Sequence, residues 1–181
     1  MSEAALRQLC RERTGLHNLL VFDDIVVFRE VYCEIAKAAL PNNEILIIMT
    51  YFETPDQVKF YLREAGVNVD LYGKTGSLFV IDSVEQFFGT NPTDTLRFIE
   101  LLNKKVRREG KKGVIAIIDM DAFFHLQDAG LEKYELEVPS GTAGGDAFLC
   151  LLCAYHRGNF ERLDPATQKA ITSRHSARAG I

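Results

Sequence analysis

Hydrophobic residues fall along this chain in two alternating arrangements. Short apolar runs, Leu19–Phe22, Ile45–Thr50, Leu78–Ile81, Val114–Asp119 and Ala147–Ala154, read as strands buried on both faces. The longer segments between them carry apolar residues at helical spacing. From Asp24 to Leu40, residues Ile25, Phe28, Tyr32, Ile35 and Ala39 form one stripe, with Asp23 or Asp24 placed to cap it and Pro41 just past its end. Thr54-Pro55-Asp56 supplies a cap, a first-turn proline and an acid that suits the helix dipole, opening a helix to Glu64 that stops at Gly66. Asn91-Pro92 opens another in the same way, with Leu96, Ile99, Leu102 and Val106 on one face and an end near Gly110. This alternation predicts an α/β fold, a mainly parallel sheet covered on both faces by right-handed crossovers.

The same pattern divides the chain. Residues 1–14 are expected to form an N-terminal helix with Leu6, Leu9 and Cys10 inward, and residues 15–175 one α/β domain. Gly141-Thr142-Ala143-Gly144-Gly145 reads as a flexible loop before the last strand. The small, polar end from Ser173 is expected to fray, with residues 176–181 a flexible tail. No internal repeat is evident. A length of 181 residues with 47% apolar content suits one domain around one substantial core.

Composition narrows the function. A net charge of −4 argues against a surface built for phosphate backbones, so nucleic acid is not the expected partner. The opening residues carry Glu3, Arg7, Arg11, Glu12 and Arg13 instead of a signal core, and no apolar run approaches the roughly 20 residues of a membrane span. A soluble, cytoplasmic protein is expected. Cys10, Cys33, Cys150 and Cys153 lie mostly among apolar neighbours, which suits reduced core thiols.

Four motifs invite chemistry. Gly73-Lys74-Thr75-Gly76 resembles part of a phosphate loop, but position 68 is Asn68 where that loop needs glycine, and the segment leads into a strand, so a plain turn is expected. Val114-Ile115-Ala116-Ile117-Ile118-Asp119 is the kind of apolar run that sets a carboxylate at a strand end near magnesium in nucleotide hydrolases, while Asp121 is placed either beside that carboxylate or as a cap for a helix at Ala122–Gln127. Lys104, Lys105, Arg107, Arg108, Lys111 and Lys112 straddle a helix end, where cations complement the dipole. Cys150 and Cys153 have metal spacing, but a strand sends residues three apart to opposite faces; His17, His125, His156 and His175 are scattered, so no metal site and no hydrolytic triad are expected.

The ordered set of segments resembles a known family. Gly15-Leu16-His17-Asn18-Leu19-Leu20-Val21-Phe22-Asp23-Asp24, then Leu62-Arg63-Glu64-Ala65-Gly66-Val67-Asn68-Val69 leading to Gly76-Ser77-Leu78, then Lys133-Tyr134-Glu135, and finally Leu152-Cys153-Ala154-Tyr155 are similar to the MEDS domains, the sensory domains of methanogen and methylotroph regulators. The resemblance implies a three-layer α/β/α, RecA/KaiC-like sheet that has lost the phosphate loop. Two departures stand out: His156 where the family usually has an acid, and a longer loop at Gly141–Gly145.

The expected function is a non-catalytic sensory or regulatory domain in signal transduction or transcription control, without a cofactor. It would bind a small molecule or a regulatory protein, either a histidine kinase or a transcription regulator, and a homo-oligomer is among its expected forms. The expected ligand residues are Glu53, Asp119 and Asp121 from their strand-end positions, His17 from the resemblance, and Tyr155 from both; they are predicted to converge on one crevice at the carboxyl edge of the sheet. The alternatives are a divergent KaiC-like ATPase keeping Asp119, or a nucleic-acid-associated regulator using residues 104–112.

Overall fold

The apolar runs do form strands. The computed structural model describes residues 17–88, 92–125, 149–175 and 177–180. Among them the elements are β1 (His17–Phe22), α1 (Ile25–Ala39), β2 (Ile45–Thr50), α2 (Pro55–Glu64), α3 (Val69–Lys74), β3 (Leu78–Asp82), α4 (Ser83–Phe88), α5 (Pro92–Glu109), β4 (Val114–Asp119), α6 (Ala122–His125), β5 (Leu149–His156), α7 (Arg157–Phe160), α8 (Pro165–Arg174) and β6 (Ala177–Gly180). The strands pair in the order β3-β2-β4-β5-β1-β6, every pair parallel.

Strand alternation partitions the core. Leu20, Phe22, Leu46, Ile48, Ile115, Ile117, Leu152 and Ala154 point to one face, where they pack with Phe28, Val31, Tyr32 and Ile35 of α1 and Val58 and Leu62 of α2. Leu19, Val21, Ile47, Met49, Ala116, Ile118, Cys153 and Tyr155 point to the other, against Leu102 and Val106 of α5, Phe160 of α7 and Ile171 of α8. Two helical layers therefore sandwich the sheet, the three-layer α/β/α arrangement that the alternation and the resemblance imply. Asp24 caps α1 by accepting from the Val26 N–H at 2.8 Å, and Thr54 and Gln57 close a reciprocal capping box on α2.

Several boundaries differ from the sequence expectation. β1 starts two residues early, at His17, and β5 continues to His156. Gly73-Lys74 is no plain turn: Asn68 accepts from the Leu71 N–H and starts the short helix α3, which Lys74 ends, and Gly76 then takes φ +62° to turn the chain into β3. The C-terminal region is also more ordered than its composition suggests. Asp164-Pro165 opens α8 with Asp164 accepting from the Ala166 and Thr167 amides, and residues 177–180, expected as part of a tail, pair with Asn18–Val21 as a short edge strand. Backbone pairing asks nothing of side-chain size, which is why small residues gave no strand signal. The expected helix 1–14 and the loop Gly141–Gly145 lie outside the described residues.

Candidate functional site

Parallel strands deliver their last residues to one edge, and buried polar side chains gather there: Thr50 and Glu53 after β2, Ser83 after β3, Asp119 and Asp121 at the end of β4. Asp119 is fully buried. Its Oδ2 accepts from the Tyr51 and Phe52 amides at 3.1 and 3.3 Å, and its Oδ1 from the Asp121 amide at 3.1 Å. Asp121, equally buried, accepts from the His156 amide at 2.7 Å and from Asn159 Nδ2 at 2.6 Å. Burial and then the neighbouring Asp121 charge push the Asp119 carboxyl up to about 8. Two carboxyls so close and so buried do not readily ionise together, so burial and mutual repulsion favour a protonated Asp119. Asp121 is raised as well, chiefly by burial.

Glu53, just after β2, serves the helix layer. Its Oε1 takes a hydrogen bond from Arg29 Nε at 2.6 Å and its Oε2 one from the Tyr32 hydroxyl at 3.1 Å, while the Arg29 guanidinium also stacks 4.2 Å from the Tyr61 ring centre. Aromatic rings roof the edge. Phe52, which remains 44% exposed, meets His156 and Phe22 edge-on at 5.8 and 6.4 Å between ring centres. The His156 ring approaches the Asp23 carbonyl at 3.1 Å, and Arg157 forms an exposed ion pair with the Asp23 carboxylate.

The residues expected to converge occupy two regions. Glu53, Asp119 and Asp121 share the carboxyl edge as buried, hydrogen-bonded groups close in sequence or contact to Phe52 and His156. Tyr155 points to the opposite face, where it packs against Phe124 and Phe160. His17 stands at the far end of β1, five residues from that edge, on the same face as Tyr155. An open groove of about 370 Å³ lies elsewhere, beside β3, lined by Lys59, Arg63, Val69, Asp70, Lys74 and Val80, and none of the expected ligand residues reaches it.

The fold also assembles what the sequence spacing hides. The histidines were expected to share no site, yet His17 and His175 have ring centres 4.0 Å apart and His17 Nε2 lies 3.0 Å from Cys153 Sγ. The register of β1 on β5 sets His17 opposite Leu151, two residues from Cys153 on the same face, and α8 carries the chain back to present His175. Phe52, Asp23, His156, Arg157 and Asn159 at the carboxyl edge were likewise missed. Their signal was modest: two aspartates closing β1, and polar residues directly after β5.

Of the basic cluster, Lys105 and Arg108 approach Glu109, Lys111 Nζ donates to Asn43 Oδ1 and Ser77 Oγ, and Lys112 donates to Asn42. These contacts tie the end of α5 to the amino ends of β2 and β3.

The family model of the methanogen/methylotroph, DcmR sensory domain (MEDS) matches residues 16–176, almost the whole chain. The chain belongs to the MEDS family. A sensory or regulatory role goes with that membership. Among solved structures, a KaiC-like protein from the hyperthermophilic archaeon Pyrococcus horikoshii OT3 is similar, with a TM-score of 0.57 at 16% identity over 87% of this chain and 68% of that one. That likeness establishes a RecA/KaiC-like fold for this MEDS domain. No curated protein matches its sequence. Among the described residues, no helix is long and apolar enough to cross a membrane.

Proposed function

We propose that this MEDS domain is a non-catalytic sensory module that takes a small molecule at the carboxyl edge, around Phe52, His156 and the Asp23–Arg157 pair, and passes the signal to a regulatory protein such as a histidine kinase or transcription regulator. The observation that carries this reading is the β1–α1 connection. A phosphate-binding fold would open its first helix there with glycines and free amides. Here two aspartates occupy the connection: Asp24 uses its carboxylate to cap α1, and Asp23 holds Arg157. A triphosphate would meet negative charge where it needs donors. Asp119 supports the same reading, because a protonated carboxyl already accepting from three amides is a poor ligand for magnesium.

The test is thermal melting of the full chain with magnesium and ATP. No shift is expected; stabilisation approaching the roughly 2.7 kcal/mol that a ligand gives at a hundred times its dissociation constant would establish a divergent ATPase instead. A small-molecule melting screen, repeated on Phe52→Ala, then checks the edge: hits should lose their shift in the variant.

A further inference from the structure

Three soft or borderline donors from distant parts of the sequence meet on the face of the sheet opposite Asp119. His17 and Cys153 are 2% and 1% exposed, and the ligating atoms of His17, Cys153 and His175 all lie within 4.8 Å of one another. An ion about 2.0 Å from each nitrogen and 2.3 Å from sulfur requires donor separations of about 3.4–3.8 Å, so rotation of the side chains suffices to close the set.

The contact that holds His175 has the form that a metal site uses. His175 Nδ1 lies 2.6 Å from the Ile171 carbonyl, which can only accept; Nδ1 therefore carries the proton and Nε2 the lone pair. Histidines that ligate metals are ordinarily fixed this way, through a hydrogen bond from the other nitrogen to a carbonyl or carboxylate. His17 Nδ1 is buried with no hydrogen-bond partner among the described residues, which a histidine serving only the core would be expected to avoid.

We infer that His17, Cys153 and His175 form a binding site for one soft transition-metal ion, held by two imidazole nitrogens and one thiolate. Binding breaks the Cys153 S–H bond, forms a metal–sulfur bond and releases the proton to solvent. Thiolate and imidazole together select copper(I) or zinc. Copper(I) suits this site better: with one thiolate it adds no net charge to a buried cluster near Arg174, whereas zinc adds one positive charge and calls for a fourth ligand. This site uses none of the residues of the carboxyl edge and stands independently of the ligand proposed there.

The test uses the full chain, reduced, stripped of metal and kept free of oxygen, titrated with copper(I) against a chromogenic chelator and separately with zinc. One copper(I) per chain is expected, with Cys153→Ser and His17→Gln each weakening it at least tenfold, and Cys150→Ser, altered on the opposite face, leaving it unchanged. Binding that is equal in wild type and Cys153→Ser, or lost only in Cys150→Ser, would overturn the site. X-ray absorption of the copper-loaded wild-type chain guards against misfolded variants. One sulfur and two nitrogens in the first shell confirm the site, and a shell without sulfur sinks it.

Discussion

The Asp119–Asp121 pair and the His17 cluster are both polar and set in the core, yet their atoms are met in opposite ways. At the edge, Asp119 and Asp121 together accept from the amides of Tyr51, Phe52, Asp121 and His156 and from Asn159. Across the sheet, His17 Nδ1 has no partner among the described residues, and His17 Nε2 has only a thiol. A saturated cluster holds a fold together. An unsaturated one costs stability until something binds, so the Asp119–Asp121 pair supports the surface proposed for a small molecule, while the His17 cluster has ligand chemistry of its own.

Substitution should separate the two. Asp121→Ala orphans the His156 amide and Asn159 and should cost about 3 kcal/mol in urea unfolding, because each stranded buried donor carries a penalty of roughly 1–3 kcal/mol. A loss under 1 kcal/mol would remove the edge from the structural side. Glu53→Ala should cost somewhat less, about 2 kcal/mol, since the stranded Arg29 is partly open to water.

Asp119→Asn acts on the pH dependence. The folded chain keeps a proton on Asp119 up to about pH 8, while the unfolded chain releases it near the ordinary carboxylate value of about 4. Wild-type stability should therefore fall through this group as pH rises from about 4 to 8, and the slope should flatten in Asp119→Asn. Equal slopes in the two proteins would mean that Asp119 is ionised in the fold.

His17→Leu should change stability by less than about 1 kcal/mol, because an apolar side chain of comparable reach replaces a ring whose Nδ1 has no partner among the described residues. A large loss would move the His17 cluster to the structural side. Lys74→Ala, on the exposed end of α3, should shift stability by no more than about 0.5 kcal/mol, as surface changes usually do.

The sequence carried the sheet well and its ends poorly. Ile45–Thr50 and Val114–Asp119 were legible to the residue, because strands buried on both faces leave unbroken apolar runs. α7 and β6 gave no such pattern, being short elements formed by what they pack or pair against. α8 does carry one, since Asp164-Pro165 is the same opening as Thr54-Pro55. Of the candidate site, the meeting of Glu53, Asp119 and Asp121 followed from strand ends alone. How the Phe52 ring turns toward Phe22 and His156 after leaving β2 did not follow from them. The approach of His17 to Cys153 joins residues 136 apart, and only the register of β1 on β5 brings them together.

Two of the three amides that Asp119 holds belong to the turn after β2, outside any ladder. Turn amides beside an exposed ring would ordinarily trade their hydrogens with solvent within seconds. Those of Tyr51 and Phe52 are instead anchored to the end of β4, so their exchange requires β2 and β4 to part. In deuterium they should lag with the central strands, and a ligand that lifts Phe52 would announce itself first as the loss of that delay.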